Sequence, residues 1–165
     1  SEFVTSKLLS VLLISSFTTL LYIIIAAIFG YNYSSEFSIS RWDEQLKYIP
    51  LFFLQTFAQL TLAFLVGFLV KRSFIALGIF IFYYLMVENI LVGLVTFKSN
   101  VPKLANFFPL ELSDKLIPPP AFRYKFDESA YNQALYDINP HIIYTIIFTG
   151  LIWFLCYKVY QKRDL

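Results

Sequence analysis

The stretch LLSVLLISSFTTLLYIIIAAIF, residues 8–29, contains no charged residue and decides the fold of this chain. A helix of about 20 apolar residues is long enough to cross the ~30 Å hydrocarbon core of a lipid bilayer. Three further runs have similar length and hydrophobicity, at residues 51–70, 74–97 and 142–157. We therefore predict an all-α, polytopic transmembrane helix bundle with four spans, forming a single transmembrane domain over residues 1–165.

The composition agrees with a membrane location and argues against several other classes of protein. Hydrophobic residues make up 58% of the chain and charged residues only 15%, which is more apolar surface than a soluble domain of 165 residues can bury. The net charge of +2 is too small to predict nucleic-acid binding. The single cysteine, Cys156, cannot form an internal disulfide or a cysteine metal cluster, so we expect it to be a packing residue.

Basic residues indicate how the spans are oriented. They occur beside the spans at Lys7, at Lys71-Arg72, and at Lys158, Lys162 and Arg163. These positions share one side of the bilayer if the four spans alternate, and the positive-inside rule places that side in the cytoplasm. We therefore expect a multi-pass protein of the inner (plasma) membrane, with both termini cytoplasmic and with outer segments at residues 30–50 and 98–141.

The first outer segment contains a pattern that is typical of a helix start. Ser40 and Asp43 have the Ser-x-x-Asp spacing, in which side-chain oxygens accept hydrogen bonds from the first free N–H groups of a helix. Trp42, Leu46 and Ile49 then recur at helical spacing. This pattern favours a short helix in the membrane interface, and an ordinary polar connector is the alternative.

The second outer segment is apolar but is broken by prolines. Residues 101–117 contain Pro102 and Pro109, and three more prolines follow at 118–120. Since proline cannot continue a helix and each half is too short to cross the bilayer, we predict a re-entrant or interfacial segment that dips into the outer leaflet or lies on it. A second amphipathic turn is predicted at 127–138, ended by Asn139-Pro140 before the last span begins.

Polar side chains of three predicted helices fall at one depth in the bilayer. Glu88 lies about 10 residues, or ~15 Å, from the outer end of its span. Gln59 of the second span lies at nearly the same depth, and Gln55 lies one turn away on the same face of that helix. Thr19 of the first span falls within one turn of this layer. Tyr84 precedes Glu88 by one turn of the third span. These five residues form the candidate site.

Three interpretations of this polar layer are open. The side chains can hydrogen-bond across helices and hold the bundle together, they can line a transport path or gate, or Glu88 can serve in proton coupling. Four glycines also lie within the spans, and we expect them at close contacts between helices: Gly67, Gly78, Gly93 and Gly150.

Several kinds of chemistry are missing from the sequence. The five glycines are scattered and none precedes a Lys-Ser/Thr pair, so no phosphate-binding loop for ATP is predicted. The single histidine, His141, cannot build a metal site, and we expect it to be solvated at the outer interface. No Ser/His/Asp spacing indicates nucleophilic catalysis. We therefore predict no enzymatic activity, no cofactor and no metal in this chain.

The two ends of the chain resemble a transporter family. The opening SEFVTSKLL, residues 1–9, resembles the Glu-Phe-x-x-x-Lys-Leu stretch that leads into the third span of ABC type 2 exporter permeases. The ending YQKRDL, residues 160–165, resembles the basic-basic-Asp-Leu terminus common in bacterial members. The proline-broken segment before the last span is similar to the short outer helices of that family.

The resemblance implies an architecture and a set of partners. Members have six spans with both ends cytoplasmic, so this chain would correspond to the last four. Two permease subunits form the path, and two separate ATP-binding-cassette ATPase subunits drive it from the cytoplasm. A cytoplasmic coupling helix before the third span contacts the ATPase, and only its tail, with Glu2, Phe3 and Lys7, would be present here.

The function expected from this resemblance is that of a permease subunit in a bacterial ATP-driven exporter. The ATP would be bound by the partner subunit. The main alternative is a non-transporting membrane scaffold or assembly factor, which would use the same bundle without an ATPase. An intramembrane enzyme that uses Glu88 and His141 is a weaker alternative, because the two residues are predicted about half a membrane thickness apart.

Overall fold

The computed structural model describes residues 2–33, 46–70, 72–98, 102–118 and 128–163. In chain order its elements are α1 (Glu2–Tyr33), α2 (Tyr48–Val70), α3 (Ser73–Phe82), a π-helical turn (Tyr83–Val87), α4 (Glu88–Lys98), a 3-10 helix (Pro102–Phe107), α5 (Pro109–Asp114) and α6 (Glu128–Arg163). No strand occurs within these residues. The all-α fold class predicted from the sequence is confirmed.

Four helical stretches are long and apolar enough to cross a membrane. By length and composition these spans are Glu2–Tyr31, Tyr48–Val70, Phe74–Lys98 and Asn132–Gln161, here called the first to the fourth span. They contain the four apolar runs of the sequence and extend past them, because each helix continues beyond its apolar core. The Ser-x-x-Asp pattern at residues 40–43 lies outside the described residues.

Helix α2 lies at the centre of the bundle. It runs antiparallel to α1, since Tyr22 stacks on Phe52 with ring centroids 4.4 Å apart and Val11 packs near Phe57. It runs parallel to α6, because Leu51 clusters with Ile138 near the start of both helices and, further along, the indole N–H of Trp153 donates to the Thr61 hydroxyl at 3.1 Å.

The described ends of the chain meet at one end of the bundle. The Phe3 ring stacks on Tyr160 with centroids 5.5 Å apart, so the start of α1 lies beside the end of α6. Arg72, at the junction of α2 and α3, lies at the same end, since α2 is antiparallel to α1 and parallel to α6. This arrangement is the one expected for four alternating spans.

The third span is not a uniform α-helix. Five residues, Tyr83–Val87, form a π-helical turn in which the backbone N–H of Glu88 donates to the carbonyl of Tyr83, five residues earlier. The Asn89 side-chain amide adds donors to this turn, with bonds of 3.2 Å to the Tyr84 carbonyl and 3.0 Å to the Leu85 carbonyl. The extra residue rotates Glu88 relative to the half of the span that precedes it.

The fourth span begins earlier than the sequence predicts. Asn139-Pro140 was expected to end one helix before the next begins, but α6 is continuous from Glu128 to Arg163 with Pro140 in its interior. Proline leaves a carbonyl of the preceding turn without its usual donor and disturbs the helix there. The ring Nδ1–H of His141 donates to the neighbouring Asp137 carbonyl at 2.6 Å. Since a carbonyl can only accept, Nδ1 carries the proton.

The chain between the third and fourth spans enters the bundle. We call residues 102–118 the inserted segment. Its 3-10 helix packs back along α4, and α5 then packs against both α2 and α6. Its most buried side chains are no more than 3% exposed: Ala105, Leu110, Leu112, Ser113 and Leu116. A re-entrant placement of the proline-broken segment therefore describes the structure better than an interfacial one.

The glycines of the spans do not mark close helix contacts within this chain. A Cβ atom built on Gly67, Gly78, Gly93 or Gly150 would meet no atom within 4 Å outside its own helical surroundings. The expectation drawn from the sequence is wrong on this point. The reason is that the helices are held together by large side chains, such as Phe64 stacked on Trp153 with ring centroids 5.1 Å apart.

Candidate functional site

The carboxylate of Glu88 binds the start of α5. Its Oε1 accepts a hydrogen bond from the backbone N–H of Leu110 at 2.7 Å and another from that of Glu111 at 2.7 Å. Both N–H groups belong to the first turn of α5, where a helix has no carbonyl partners for them. Glu88 therefore joins the third span to the inserted segment.

Two short N–H bonds are a strong interaction for a buried carboxylate. Glu88 is only 3% exposed, and removing a carboxylate from water is costly unless hydrogen bonds replace the water. Distances of 2.7 Å lie at the short end of the range for N–H···O hydrogen bonds. The other oxygen, Oε2, is buried without a hydrogen-bond partner in the described residues, and the phenol of Tyr83 interacts with the same carboxyl group without completing a bond to Oε2.

The far end of α5 is bound by the second span. Asp114 Oδ1 accepts hydrogen bonds from the side-chain amides of Gln55 at 2.9 Å and Gln59 at 2.8 Å. Gln55 and Gln59 lie one turn apart, so both amides reach the same oxygen. Burial raises the pKa of Asp114 above its ordinary value, and the two amide donors partly oppose that rise.

The fourth span binds the middle of the inserted segment. The hydroxyl of Thr145 donates to the Leu112 carbonyl at 3.4 Å, and both residues are buried. Leu110 packs in one cluster with Leu62, Ile152 and Cys156, and Leu116 packs with Leu51 and Ile138 in another. Polar contacts from three spans thus hold α5 at its start, its middle and its end.

Three of the five residues of the candidate site bind the inserted segment. Glu88, Gln55 and Gln59 converge on the inserted segment, at opposite ends of α5, and not on one another. Thr19 is buried, but its hydroxyl donates to the Ser15 carbonyl of its own helix at 2.7 Å. Tyr84 is 42% exposed and lies on the outer face of the third span.

The π-helical turn explains why Tyr84 lies apart from the site. In an α-helix, residues four apart share a face, which led the sequence analysis to pair Tyr84 with Glu88. In this span Tyr83, five residues before Glu88, faces the carboxyl group instead. The placement expected for Tyr84 is therefore wrong by one residue.

The predicted coupling residues lie at the end of the bundle where the described ends of the chain meet. Phe3 stacks on Tyr160, and the Lys7 ammonium lies 5.5 Å from the centroid of the Phe3 ring. Glu2 is exposed. The three residues form the first turns of α1, so they continue the first span directly and do not form a separate helix.

Sequence reasoning missed Asp114 and Thr145. Asp114 follows the proline-broken run Pro-Leu-Glu-Leu-Ser, and an acidic residue in such a segment could have indicated a polar partner in a span. Thr145 gives no such signal. From the sequence, a threonine that bonds another segment cannot be distinguished from one that bonds a carbonyl of its own helix. Within the part of the chain that the structure describes, no group of three or more His, Cys, Asp or Glu side chains could hold a metal ion.

His141 and Glu88 are bound to different parts of the backbone. His141 is 5% exposed, so the prediction of a solvated histidine is wrong: its ring is held against Asp137 and near the Tyr144 ring. Glu88 bonds to the start of α5 and interacts with the phenol of Tyr83. No hydrogen bond joins the two side chains, as a paired acid and base would require.

These features define a class: an α-helical membrane protein of four spans whose inserted segment is bound by a buried carboxylate and a pair of glutamines. The chain belongs to the family described as "Protein of unknown function (DUF2705)", whose model matches residues 1–165. No curated protein and no solved structure matches the chain.

Proposed function

We propose that this chain is a permease subunit of an ATP-driven exporter and works with a separate ATP-binding-cassette ATPase. The observation that carries the proposal is the inserted segment between the third and fourth spans, with its two short helices buried against the bundle. Backbone of this kind is tolerated at membrane depth only where protein or water covers it, and it is typical of proteins that form a path for a substrate.

The positions of the chain ends support the proposal. The start of α1, Arg72 and the end of α6 share one end of the bundle, which we assign to the cytoplasmic face of a bacterial inner membrane on the positive-inside rule. Glu2, Phe3 and Lys7 lie there and are our candidates for ATPase contact. A second permease subunit would complete the path, and much of the apolar surface of α1, α3 and α4 is free to contact lipid or that subunit.

In this proposal Glu88, Gln55 and Gln59 act on transport through the inserted segment. They hold α5 in place, and its release would expose these polar groups to a path between the spans. Alternating exposure of this kind requires a substrate or an ATPase state that binds one arrangement better than the other. Lipids, amphiphilic drugs and glycans are the candidate substrate classes.

A specific observation favours the second candidate function, a non-transporting scaffold or assembly factor. The polar side chains that could line a path are engaged in hydrogen bonds that hold the bundle together, at Asp114, Leu110 and Glu111. Polar groups in membrane proteins often have only this structural role. A scaffold would need no ATPase, so the partner distinguishes the two functions.

The partner can be identified by site-specific photocrosslinking in native membranes. A photoreactive amino acid replaces Glu2 in one variant and Phe97, which lies at the opposite end of the bundle and is 93% exposed, in a matched control. We expect position 2, and not position 97, to crosslink to a protein that carries a phosphate-binding loop for ATP. Absence of that product at position 2, or equal yields at both positions, would contradict the exporter proposal.

A further inference from the structure

One face of the third span carries polar and small residues that point away from the bundle. Asn89 follows Glu88 and therefore lies about 100° around the helix from the side that binds the inserted segment. The same face continues one and two turns further on. Because Tyr83 and Glu88 share a face across the π-helical turn, the residue after Tyr83 shares a face with Asn89. We call this set the polar stripe: Tyr84, Asn89, Gly93 and Thr96.

Asn89 is the residue of the polar stripe that hydrocarbon accommodates worst. It is exposed and lies about 14 Å below Lys98, the last residue of the span, at 1.5 Å per residue. Its side-chain nitrogen donates to the Tyr84 and Leu85 carbonyls, but its side-chain oxygen Oδ1 accepts no hydrogen bond from the described residues. An amide oxygen without a donor in an apolar medium costs free energy, so Oδ1 requires a partner from outside the described chain.

The exposed hydroxyl groups of the first span do not create the same requirement. Ser10 donates to the Ser6 carbonyl and Ser16 to the Leu12 carbonyl, so each hydroxyl is satisfied by its own helix. An amide oxygen has no such solution, because it can only accept and the backbone N–H groups of a helix interior already bind carbonyls. Asn89 therefore distinguishes the polar stripe from the other outward faces of the bundle.

Gly93 leaves room for a close neighbour beside Asn89. A Cβ atom built on Gly93 would meet no atom within 4 Å outside its own helical surroundings, so no contact within the chain requires a glycine there. A glycine in a helix interior is about 1 kcal/mol less favourable than alanine. Small residues next to polar ones are typical of contacts between membrane helices, where they let two backbones approach closely.

The polar stripe is complementary to itself. The Asn89 amide and the Tyr84 hydroxyl each contain a donor and an acceptor, and the stripe carries no charge that would repel its own copy. Copies inserted with the same orientation are related by a two-fold axis along the membrane normal, and such an axis brings the same residues of both copies together.

We propose that the polar stripe is the surface through which two copies of this chain associate, third span against third span. The amide oxygen of Asn89 then accepts from the second copy, and Gly93 admits the helix that carries it. In a permease this is the face at which the second subunit binds, and to that extent the inference rests on the proposed function. The association itself requires no ATPase.

Crosslinking in native membranes locates the interface. Two differently tagged copies of the full chain are co-expressed, both with Cys156→Ala and one new cysteine. Thr96→Cys lies on the polar stripe, and Leu94→Cys is the control, since Leu94 is 51% exposed at nearly the same depth and points about 160° away. With a short bifunctional thiol reagent we expect a product with both tags at position 96 and its loss at position 94.

Three outcomes of the crosslinking overturn the proposal. They are the absence of a doubly tagged product at position 96, equal yields at the two positions, and a product that contains a different protein in place of the second copy. None of them affects the crosslink to an ATPase from position 2, so this inference and the exporter proposal can fail separately.

Glycine substitutions test the surface without removing a contact within the chain. Gly93→Leu fills the space assigned to the second copy. Gly78→Leu is the matched control, because Gly78 has equally open surroundings and lies six residues before Tyr84, about 120° from the polar stripe. Energy transfer between labelled chains in phosphatidylcholine vesicles gives the dissociation constant. We expect it to rise about tenfold for Gly93→Leu and to stay unchanged for Gly78→Leu. Equal constants for the two variants overturn the proposal.

Substitutions of Asn89 measure the polar part of the association. Asn89→Leu removes the amide from both copies, and we expect the dissociation constant to rise about tenfold, roughly threefold for each of two lost bonds between helices. Asn89→Gln keeps an amide and should stay within about threefold of the parent chain. An unchanged constant in Asn89→Leu overturns the proposal. Since Asn89 also bonds the π-helical turn, the Gly93→Leu measurement decides the matter if Asn89→Leu does not fold.

Discussion

Glu88 can be buried in a membrane span because backbone N–H groups replace the water that a carboxylate normally binds. The same two groups, on Leu110 and Glu111, would lack partners at the start of α5 if Glu88 were absent. The carboxylate and the two N–H groups therefore satisfy each other's hydrogen-bonding capacity. Their burial costs little free energy only while both partners are present. A buried charge of this kind is weak evidence for stability by itself, but removal of one partner is expensive.

Two replacements of Glu88 should distinguish the contribution of its acceptor oxygens from that of its charge. Glu88→Leu leaves two buried N–H groups without an acceptor, so we expect a loss of about 4 kcal/mol in the free energy of unfolding, measured by denaturation in detergent micelles. Glu88→Gln keeps an acceptor oxygen, and we expect it to lose about 2 kcal/mol. Glu111→Gln is the matched control, since it changes only a partly exposed ion pair with Lys115, worth less than about 1 kcal/mol. Equal stability of the Leu variant and the parent would contradict this account.

Gln55 and Gln59 should be coupled because they donate to one oxygen. With either amide removed, Asp114 Oδ1 keeps the other donor, so we expect Gln55→Ala and Gln59→Ala to cost about 1 kcal/mol each. Removal of both leaves the half-buried carboxylate unbonded, and the double variant should lose about 1 kcal/mol more than the sum. The measurement is a double-mutant cycle of unfolding free energies.

A control double-mutant cycle uses another polar residue of the same helix that does not bind Asp114. Thr56 donates to the Phe52 carbonyl of its own helix, so Thr56→Ala combined with Gln59→Ala should be additive within about 0.5 kcal/mol. Additive losses for Gln55 and Gln59 would mean that the two amides do not share Asp114.

The π-helical turn decides which face of the third span carries Glu88. Its extra residue lets Ala76, before the turn, and Tyr83, its first residue, face the bundle, while the half after the turn presents Glu88 to α5. A regular α-helix advances by about 100° per residue, so without the turn one of these two faces would point away from the bundle. The sequence stretch YYLMV gives no sign of the turn, because it is uniformly compatible with an α-helix.

Deletion of Met86 tests the turn as an element. Met86 is 54% exposed on the outer face of the span, and removing one residue from the turn restores an α-helical register. Either Glu88 or the packing around Tyr83 must then be lost, so we expect the free energy of unfolding to fall by about 3 kcal/mol or more. The substitution Met86→Ala, which keeps the register, should cost less than about 1 kcal/mol. Similar losses for the deletion and the substitution would show that the register is not needed.

How far the sequence predicts each element depends on the range of the interactions that form it. The four spans follow from apolar runs because burial in lipid is a local property of about 20 residues. Gln55 and Gln59 were found as a polar pair, but their partner Asp114 lies 55 residues or more along the chain, and nothing local links them. Asn139-Pro140 misled for the opposite reason: a helix stop is a local rule, and the contacts of α6 with the bundle, such as Ile138 packed with Leu51 and Leu116, override it.

At the scale of the whole molecule, the bundle is built around α2 and leaves much of its surface apolar. Helices α1 and α6 pack against α2 on one side, α3 on another, and the inserted segment fills the space between α2, α4 and α6. Large apolar side chains such as Phe17, Phe74 and Leu85 remain exposed, which a protein in water could not sustain over its whole surface. A lipid environment or further helices must cover them.

Cysteine labelling in intact bacterial cells tests the topology that this packing implies. Three single variants place a thiol at Glu2, Arg72 and Phe97, and the native Cys156 is fully buried. With a membrane-impermeant maleimide added outside, we expect position 97 to react at once, and positions 2 and 72 only after the membrane is permeabilised. The physical reason is that charged guanidinium and ammonium groups at the cytoplasmic end oppose translocation of that end.

The labelling pattern tests two properties separately: whether the third span crosses the membrane, and which end of the bundle faces the cytoplasm. If positions 2 and 72 react from outside while position 97 is protected, four spans cross the membrane but the positive-inside assignment is wrong. If positions 72 and 97 react from the same compartment, the third span does not cross, and Glu88 cannot lie at mid-membrane depth against α5. Only the second result removes the buried carboxylate from the membrane interior, and with it the reason why its two backbone bonds to α5 should be so strong.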